Sequence, residues 1–173
     1  QGRGDSWFFQ RILPYRMRGT VHGVVLTLID IGPLKAAENA VFRERYLLDS
    51  LMDSVPDAIY FKDAAARFVR VNAAMAERLG LEDASAAVGH AAKDFLPETS
   101  GRAIDEADER ALAGEAQPYD EEQVSGEDGK VTWFMSTRQP LQDASGKRVG
   151  MLAVSRDISE QKRIEDEIRL AVR

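Results

Sequence analysis

Two stretches near opposite ends of the 173-residue chain repeat one pattern, and this repeat limits the possible folds more than any other feature. The only two tryptophans open the copies, as Trp7-Phe8 and Trp133-Phe134. Each copy continues through a proline, two glycines and a closing Asp-Ile pair, and one residue of length difference falls before the first glycine. A β-hairpin tolerates such a change best in its turn. The repeat therefore predicts two related hairpins, each at the end of a domain.

The two copies lie about one domain length apart. This spacing predicts that the chain consists of four segments. Residues 1–32 are predicted to be the C-terminal hairpin of a preceding domain, and residues 33–55 a linker helix. Residues 56–158 are predicted to form a complete domain, and residues 159–173 to begin a C-terminal helix. We interpret the chain as a fragment of a tandem multidomain protein. Because a lone hairpin is marginal in water, we expect it to pair with another copy or to dock on the complete domain.

Composition excludes several classes of protein. The chain is 44% hydrophobic and 30% charged, which is typical of a soluble globular protein. It has no cysteine, so disulfides and thiolate metal sites are excluded. No signal peptide is visible in the sequence, and no apolar run approaches the roughly 20 residues that a membrane span needs. The net charge is −6 and there is no basic patch, which argues against a nucleic-acid partner. We therefore expect a cytoplasmic protein.

Hydrophobic periodicity within residues 56–158 predicts two strands, several short helices and then three strands. The predicted strands cover residues 58–61, 67–71, 118–124, 130–141 and 147–158, and the longer predicted helices cover residues 73–79 and 99–115. Asn72 and Gly80 are typical residues for the start and end of the first of these helices. This order favours an α+β fold in which a five-stranded antiparallel sheet carries its helices on one face.

The predicted linker helix carries an apolar stripe. Its main members are Leu34, Val41, Leu48, Leu51 and Val55. Their 3,4 spacing is typical of a coiled coil, whereas the neighbouring Phe42, Tyr46 and Leu47 widen the stripe as in a helix that packs on its own domain. Both interpretations stay open from the sequence. The first of them predicts a parallel homodimer through residues 34–55.

Several motifs together resemble those of a PAS domain of bacterial sensor proteins, over roughly Leu47 to Ile158. The matching stretches are Val55–Asp63, Arg67–Asn72, Gly80-Leu81, Val88-Gly89, Asp94–Pro97 and Arg156–Ser159. The N-terminal stretches Arg11–Arg16 and Gly23–Thr27 are similar to the PAS tail of chemotaxis methyltransferase–methylesterase hybrids.

The resemblance implies a PAS fold with strand order 2-1-5-4-3, a small pocket between sheet and helices, and signalling helices at both ends. It implies a sensory or dimerisation module of a cytosolic bacterial signal-transduction protein. The parent would be a histidine kinase of a two-component system, a diguanylate cyclase or a chemotaxis-type hybrid. The implied partners are a second copy of the chain and the other domains of the same polypeptide. The signal that is sensed does not follow from the resemblance.

Alternation along the strands identifies candidate residues for the pocket, although plain core packing is the better interpretation for any single one of them. The apolar candidates are Ile59, Phe61, Val69, Val71, Met75, Phe95, Trp133, Met135, Met151 and Ala153. Arg138 and Ser155 are the candidate polar anchors. Asp157 and Ile158 are the candidate signal relay, because Asp157 can cap the following helix and form a capping box with Glu160.

Cofactors are not expected, although an unknown small ligand is left open. A flavin–cysteinyl adduct and a thioester chromophore both need a cysteine, and haem in PAS sensors usually needs a histidine on the helix predicted here at residues 99–115, which has none. His90 is expected at the surface, and no spacing suggests a metal site.

No catalytic set is apparent, so we expect this fragment not to be an enzyme. The run Asp120–Glu122 is interpreted as a solvated face, and Asp57 and Asp63 as residues that shape turns. The alternative is a small α+β enzyme or ligand carrier with a pocket on the concave sheet. The lack of a nucleophile–base pair argues against that alternative.

Overall fold

The computed structural model describes residues 6–115, 119–125 and 131–171. Contacts divide the chain into two units, Gln1–Asp49 and Ser50–Arg173. The first unit contains strands β1 and β2 and most of helix α1, whose bounds are Phe8–Met17, Thr20–Asp30 and Gly32–Ser54. The two strands are antiparallel, and the turn between them has Arg18 and Gly19 at φ values of 51° and 84°. Such values are typical of the tight turns that match the twist of a hairpin.

The second unit is a five-stranded antiparallel sheet with helices on one face. Its strands are β3 (Ala58–Asp63), β4 (Phe68–Val71), β5 (Asp120–Ser125), β6 (Val131–Gln142) and β7 (Arg148–Asp157). Its helices are α2 (Ala73–Arg78), α3 (Glu98–Ala113) and α4 (Ser159–Ala171), with short 3₁₀ helices at Ala84–Ala87 and Ala92–Asp94. The spatial order β4-β3-β7-β6-β5 confirms the predicted order 2-1-5-4-3.

Asn72 connects three elements at the start of this unit. Its side-chain oxygen accepts hydrogen bonds from Ile59 N (2.9 Å) and Met75 N (3.0 Å), and the second of these caps α2 as predicted. Its amide nitrogen donates to the carbonyl oxygens of Met52 and Asp57, both at 2.9 Å. The residue is 1% exposed, and three of the four bonds are buried while the bond from Ile59 N is partly buried. Asn72 therefore fixes the end of α1, the start of β3 and the start of α2 together.

The core lies between the sheet and the helices. We call the helix-covered side of the sheet the inner face. Small and medium apolar side chains dominate this core, and its fully buried members include Met75, Ala87, Ala92, Ala111, Met151 and Ala153. Tyr60 and Phe68 pack edge to face in it, with ring centroids 5.4 Å apart.

Two glycines allow backbones to approach closely around this core. A Cβ at Gly101 of α3 would lie 2.5 Å from Lys93 Cα, so the helix packs directly on the second 3₁₀ helix. A Cβ at Gly150 of β7 would lie 2.2 Å from the Lys62 carbonyl oxygen on β3. Glycine inside a strand often marks such an approach of another backbone. The pairing of β3 with β7 thus depends on the missing side chain at Gly150.

We expect Gly150→Ala to lower the free energy of unfolding of the second unit by about 1–3 kcal/mol, because β3 must move away from the added methyl group. Urea denaturation followed by circular dichroism measures this. Gly23→Ala is the matched control, since Gly23 holds the equivalent position in β2 with nothing within 4 Å of the added Cβ. It should shift stability by less than about 0.5 kcal/mol in this chain. Equal effects would contradict the close-approach argument.

Candidate functional site

The inner face of the sheet is polar at its centre. Alternation places Tyr60 and Lys62 of β3 on this face, together with Ser136 and Arg138 of β6, and each is 4% exposed or less. Helix α3 covers them with Asp105 and Asp108. Charged side chains are rarely buried unless they are paired. The site is therefore a set of ionic groups that must neutralise one another.

Asp108 is the hub of this set. Its Oδ1 atom accepts hydrogen bonds from the Tyr60 hydroxyl (2.9 Å) and from Arg138 Nε (2.7 Å). Its Oδ2 atom lies 2.6 Å from Lys62 Nζ. The side chain of Asp108 is fully buried, as is that of Lys62. One carboxylate thus holds two cations and a phenol that come from two strands of the sheet.

Asp105, one turn earlier on α3, extends the set to the neighbouring loop. Its carboxylate lies 2.7 Å from Lys62 Nζ and accepts hydrogen bonds from Ala92 N (3.0 Å) and Lys93 N (3.1 Å). The ammonium of Lys62 also lies 4.6 Å from the centre of the Phe68 ring. The Lys62 charge is therefore compensated by two carboxylates and an aromatic face.

At the other end, Arg138 reaches the edge strand β5. Its guanidinium bonds to Glu122 and lies 3.4 Å from Asp120 Oδ2. The second oxygen of Glu122 lies 3.7 Å from Arg78 of α2. The sequence alone predicts a solvated face for Asp120–Glu122. That prediction is wrong for Glu122, whose side chain is 16% exposed, whereas the side chain of Asp120 stays 31% exposed. Strand alternation turns both toward Arg138, while Glu121 points away.

Arg78 closes the set beside β7. Its Nη1 atom donates to Ser155 Oγ (2.8 Å), which also accepts from Ser136 Oγ (2.9 Å). Within the described residues its Nε atom has no hydrogen-bond partner, and the guanidinium instead stacks 3.7 Å from the centre of the Phe134 ring. We call the complete set the interior network. Its members are Tyr60, Lys62, Arg78, Asp105, Asp108, Asp120, Glu122 and Arg138.

Burial and neighbouring charges shift the ionisation of three members. Burial raises the pKa of the Tyr60 phenol well above its usual value, and Asp108 adds to this shift, so the phenol stays neutral and donates. Burial lowers the pKa of Arg78, although Glu122 opposes the shift. Burial would also lower the pKa of Arg138, but Tyr60, Asp108 and Glu122 together raise it. Arginine keeps its charge at neutral pH in either case.

Two open clefts lie beside the interior network. A cleft of about 360 Å³ between α3 and β5 is lined by Thr99, Ser100, Ala103, Ile104, Glu122, Gln123 and Val124. A second cleft of about 270 Å³ is lined by Pro56, Ala58, Ala74, Glu77, Arg78, Phe134, Ser155 and Asp157. Pockets for small molecules typically begin near 300 Å³. Each cleft exposes one member of the network, Glu122 or Arg78, to an entering molecule.

The predicted pocket residues fall on both faces of the sheet. The inner face and α2 carry Val71, Met75, Arg138, Met151, Ala153 and Ser155, all buried. Ile59, Phe61, Trp133 and Met135 are half-buried on the opposite face, and Val69 is exposed at a register shift of β4. Phe95 is half-buried beside His90, with ring centroids 5.4 Å apart. The predicted residues of β3, and Trp133 and Met135 of β6, therefore have the opposite parity to the prediction, because Tyr60, Lys62 and Ser136 take the inner positions, whereas the candidate anchor Arg138 of β6 lies on the inner face.

Lys62, Asp105 and Asp108 are not among the site residues that the sequence predicts. A usable signal was present on α3, where Asp105 and Asp108 lie in the same helical stripe as Ile104, Ala107 and Ala111. Two carboxylates inside an apolar stripe require buried cations as partners. Lys62 and Arg138 are the cations at inner positions of the strands.

The predicted relay residues lie where β7 continues into α4. Ser159 N donates to Asp157 Oδ1 (2.8 Å), and Ile158 N donates to the carbonyl oxygen of Trp133 (2.8 Å). Trp133 N in turn donates to Ser159 Oγ (2.9 Å). The predicted partner Glu160 instead pairs with Arg163 of the next turn. These bonds attach the first turn of α4 to both strands of the β6–β7 hairpin.

Two ion pairs hold the ends of the second unit. Lys162 of α4 lies 2.7 Å from Glu121 of β5 and 5.5 Å from the centre of the Trp133 ring. Arg156 of β7 binds Asp57 before β3, with a shortest distance of 2.8 Å. Hydrogen bonding to Asp57 raises the pKa of Arg156. Asp57, which the sequence predicts to shape a turn, thus also forms an ion pair with Arg156. Asp63 accepts hydrogen bonds from Ala65 N and Arg67 N within its turn.

The remaining candidates lie outside the network. The His90 side chain is 55% exposed, 3.6 Å from Asp94. A hydrogen bond from Ala91 N lowers the pKa of Asp94, and His90 adds to the shift. Among the described residues, no group of three or more His, Cys, Asp or Glu is arranged to hold a metal ion. In the same part of the chain, no helix combines the length and apolar character that a bilayer crossing requires.

Comparisons with known proteins agree on one fold. The family model described as "PAS fold" matches residues 52–163. The chain is 29% identical over 126 residues to the aerobic respiration control sensor protein ArcB of Escherichia coli K12, which covers 73% of this chain and 16% of the relative. It is 31% identical over 114 residues to the methanogenesis regulatory histidine kinase FilI of Methanothrix harundinacea, covering 65% of this chain and 12% of FilI.

A solved structure supports the same conclusion about the fold. The PAS domain from Bordetella pertussis BvgS is similar with a TM-score of 0.52 and 20% identity, covering 76% of this chain and 98% of that domain. The chain thus spans a small part of its curated relatives, 16% and 12% of their lengths, but nearly the whole of a solved PAS domain.

We expect Asp108→Asn to lower the free energy of unfolding by about 3–5 kcal/mol, because Lys62 and Arg138 then stay buried without their shared anion. Urea denaturation at neutral pH measures the loss. Glu109→Gln, the same chemical change at the next, exposed residue of α3, is the control and should stay within about 0.5 kcal/mol. If Asp108→Asn does not fold, adding Lys62→Met should recover a folded unit, because the buried ammonium that lost its shared anion is then removed, while Arg138 keeps its bond to Glu122 and Asp105 keeps its bonds from Ala92 N and Lys93 N. Equal midpoints for Asp108→Asn and Glu109→Gln would contradict the role of the hub.

Proposed function

The chain belongs to the PAS fold family, and from this premise we propose that its second unit is a sensory module that passes changes in the interior network to helix α4. Glu121 and Glu122 of β5 are the observation that carries this proposal. Glu122 bonds to Arg138 inside the unit, whereas Glu121 lies 2.7 Å from Lys162 on α4. Adjacent residues of a strand point to opposite faces, so a shift of β5 moves both contacts together.

The proposed input is a change in the pairing of Glu122. Glu122 lines the cleft between α3 and β5, so a ligand in that cleft competes with Arg138 and Arg78 for its carboxylate. The predicted pocket residues of the inner face, such as Met151 and Ser155, form the floor behind this network in the proposal. Any such ligand acts only through its different affinity for the two arrangements of β5.

The proposed output is a kinase-type domain that follows α4. The named relatives are a sensor protein and a histidine kinase, and in this proposal the chain serves as the sensor part of a similar two-component protein. A cytoplasmic location and the lack of a nucleic-acid partner stay predictions. The relay residues Asp157 and Ile158 fit the same proposal, because their bonds hold the first turn of α4 on the hairpin.

A double-mutant cycle tests the relay. Glu122→Gln should make the amides of residues 159–171 exchange hydrogen several-fold faster, because β5 loses its interior anchor. In a Glu121→Gln background the same change should add nothing, since the link to Lys162 is already broken. Glu167→Gln, which removes an exposed ion pair within α4, is the control for a local effect on the helix. Hydrogen–deuterium exchange with mass spectrometry measures the exchange rates of these amides in all variants.

Additive effects of Glu121→Gln and Glu122→Gln would contradict the relay. In the full-length protein, the variants that accelerate exchange in α4 should also change the output activity, and Glu167→Gln should not. If exchange in α4 changes while the output activity does not, α4 responds to β5 but does not transmit the signal to the output domain.

We also propose that two copies pair in parallel through α1. The stripe residues Leu34, Val41, Leu48 and Leu51 are between 44% and 67% exposed within the chain, and Val55 is half-buried. Apolar exposure at coiled-coil spacing is typical of a helix with a partner. Paired signalling helices would let two sensory units act on one output.

Leu48→Glu with Leu51→Glu should convert the dimer to a folded monomer, because each buried leucine contributes about 2 kcal/mol to association. Sedimentation velocity measures the change, and circular dichroism shows that the fold is kept. Arg43→Glu with Ser50→Glu places two acidic residues elsewhere on the same helix and should leave the dimer intact. An unchanged dimer in the leucine variant would place the interface elsewhere.

A further inference from the structure

The hairpin of the first unit has the same pairing register as the β6–β7 hairpin of the second unit. Phe8 lies opposite Asp30 as Phe134 lies opposite Asp157. The register then continues pair by pair up to one irregularity. That irregularity lies between Tyr15 and Arg16 in β1, and at the equivalent place between Leu141 and Gln142 in β6. Bulges re-aim a strand at a defined position, so the two hairpins share their backbone design as well as their sequence pattern.

The two hairpins also continue into their helices through the same bonds. Ile31 N donates to the Trp7 carbonyl oxygen at 2.8 Å, and Ile158 N donates to that of Trp133 at 2.8 Å. Gly32 N donates to Asp30 Oδ1 at 2.8 Å, as Ser159 N does to Asp157 Oδ1. The bond from Lys35 N to Ile31 O (3.0 Å) matches that from Lys162 N to Ile158 O (2.9 Å). Helix α1 therefore leaves β2 as α4 leaves β7.

What differs is the cover over each hairpin. Met151 and Ala153 of β7, which lie beside β3, and Arg138 of β6 are at most 4% exposed under the helices. The equivalent residues of the first hairpin are apolar and open. Val24 is 68% exposed, Leu26 is 52% exposed and Ile12 is 57% exposed. An apolar face of this size in a two-stranded sheet indicates a surface that is built to be covered.

Gly23 points independently to a missing neighbouring backbone. Its equivalent, Gly150, has no room for a Cβ because the Lys62 carbonyl oxygen of β3 lies 2.2 Å from that position. Gly23 has nothing within 4 Å and no left-handed φ, so nothing in the described structure requires a glycine there. Glycine weakens a strand interior unless a backbone approaches closely. Gly23 therefore leaves space beside β2 for another strand. That strand would lie beside β2 in the same way as β3 lies beside β7.

We infer that residues 7–31 are the last two strands of a second PAS unit, and that the remaining strands and helices of that unit, which precede Gln1 in the polypeptide, cover them. Its first strand pairs antiparallel with the free edge of β2, opposite Gly23 and Val24, as β3 pairs with β7 opposite Gly150 and Met151. Its helices cover Ile12 and Leu26. Because Ile12 stands where Arg138 stands in the second unit, the interior of that unit is apolar at this position and has no equivalent of the pair between Arg138 and Asp108.

Hydrogen–deuterium exchange on the full-length protein and on the 173-residue chain tests the inference. Amides of residues 20–30 should exchange about tenfold or more slowly in the full-length protein, because the free edge of β2 gains hydrogen bonds there. Gly23→Ala should abolish this extra protection in the full-length protein while leaving exchange in the 173-residue chain unchanged.

Ile12→Asp and Leu13→Asp form a matched pair of adjacent apolar residues on the two faces of β1. Their equivalents are the buried Arg138 and the exposed Gln139. In the full-length protein only Ile12→Asp should remove the protection of residues 20–30. Equal exchange in the two proteins, or equal effects of the two substitutions, would overturn the inference. Protection already present in the 173-residue chain and dependent on its concentration would also overturn it, since a second copy would then be the cover.

Discussion

The carboxylate of Asp108 is the interaction on which the second unit depends. It holds Lys62 of β3 and Arg138 of β6 at 2.6 and 2.7 Å, so the position of α3 over the sheet is set by charge rather than by apolar packing alone. Buried ionic groups contribute less to stability than their number suggests, because removing them from water costs several kcal/mol each. Their contribution here is to the position of α3, together with the close packing of Gly101 on Lys93, because Lys62 and Arg138 are compensated when Asp105 and Asp108 face the sheet.

The architecture was predictable from the sequence, whereas the centre of the site was not. Turn residues, the Asn72 cap and the strand periodicity predict the elements, and the PAS resemblance implies the strand order that the structure confirms. In Ala58–Asp63, however, hydrophobicity favours Ile59 and Phe61 as inner residues. Lys62 occupies an inner position only because Asp105 and Asp108, more than 40 residues later, neutralise it. The hydrophobic pattern within one β-strand contains no information about such a distant partner.

Strand β5 is a second case in which the sequence of one strand does not predict the partners of its side chains. Three consecutive acidic residues suggest a solvated edge, yet Glu122 bonds to an arginine of the interior while Glu121 bonds to a lysine of α4. The division follows from the two-residue period of a strand once the neighbouring cations are known. The repeat at the two ends of the chain was the more informative signal, because its spacing preserved backbone features, including a bulge and a capped exit, that no single residue specifies.

The shared coordination of Lys62 by Asp105 and Asp108 also constrains how this sequence can change over evolutionary time. A substitution at any one of these positions leaves an uncompensated charge among buried groups, so the acceptable substitutions at each position depend on the residues at the other two. Substitutions in the interior network must therefore occur together, or through intermediate sequences that other substitutions stabilise. Exposed positions of α3 such as Glu109 carry no such epistasis, and sequence divergence among descendants of this chain should accumulate there first.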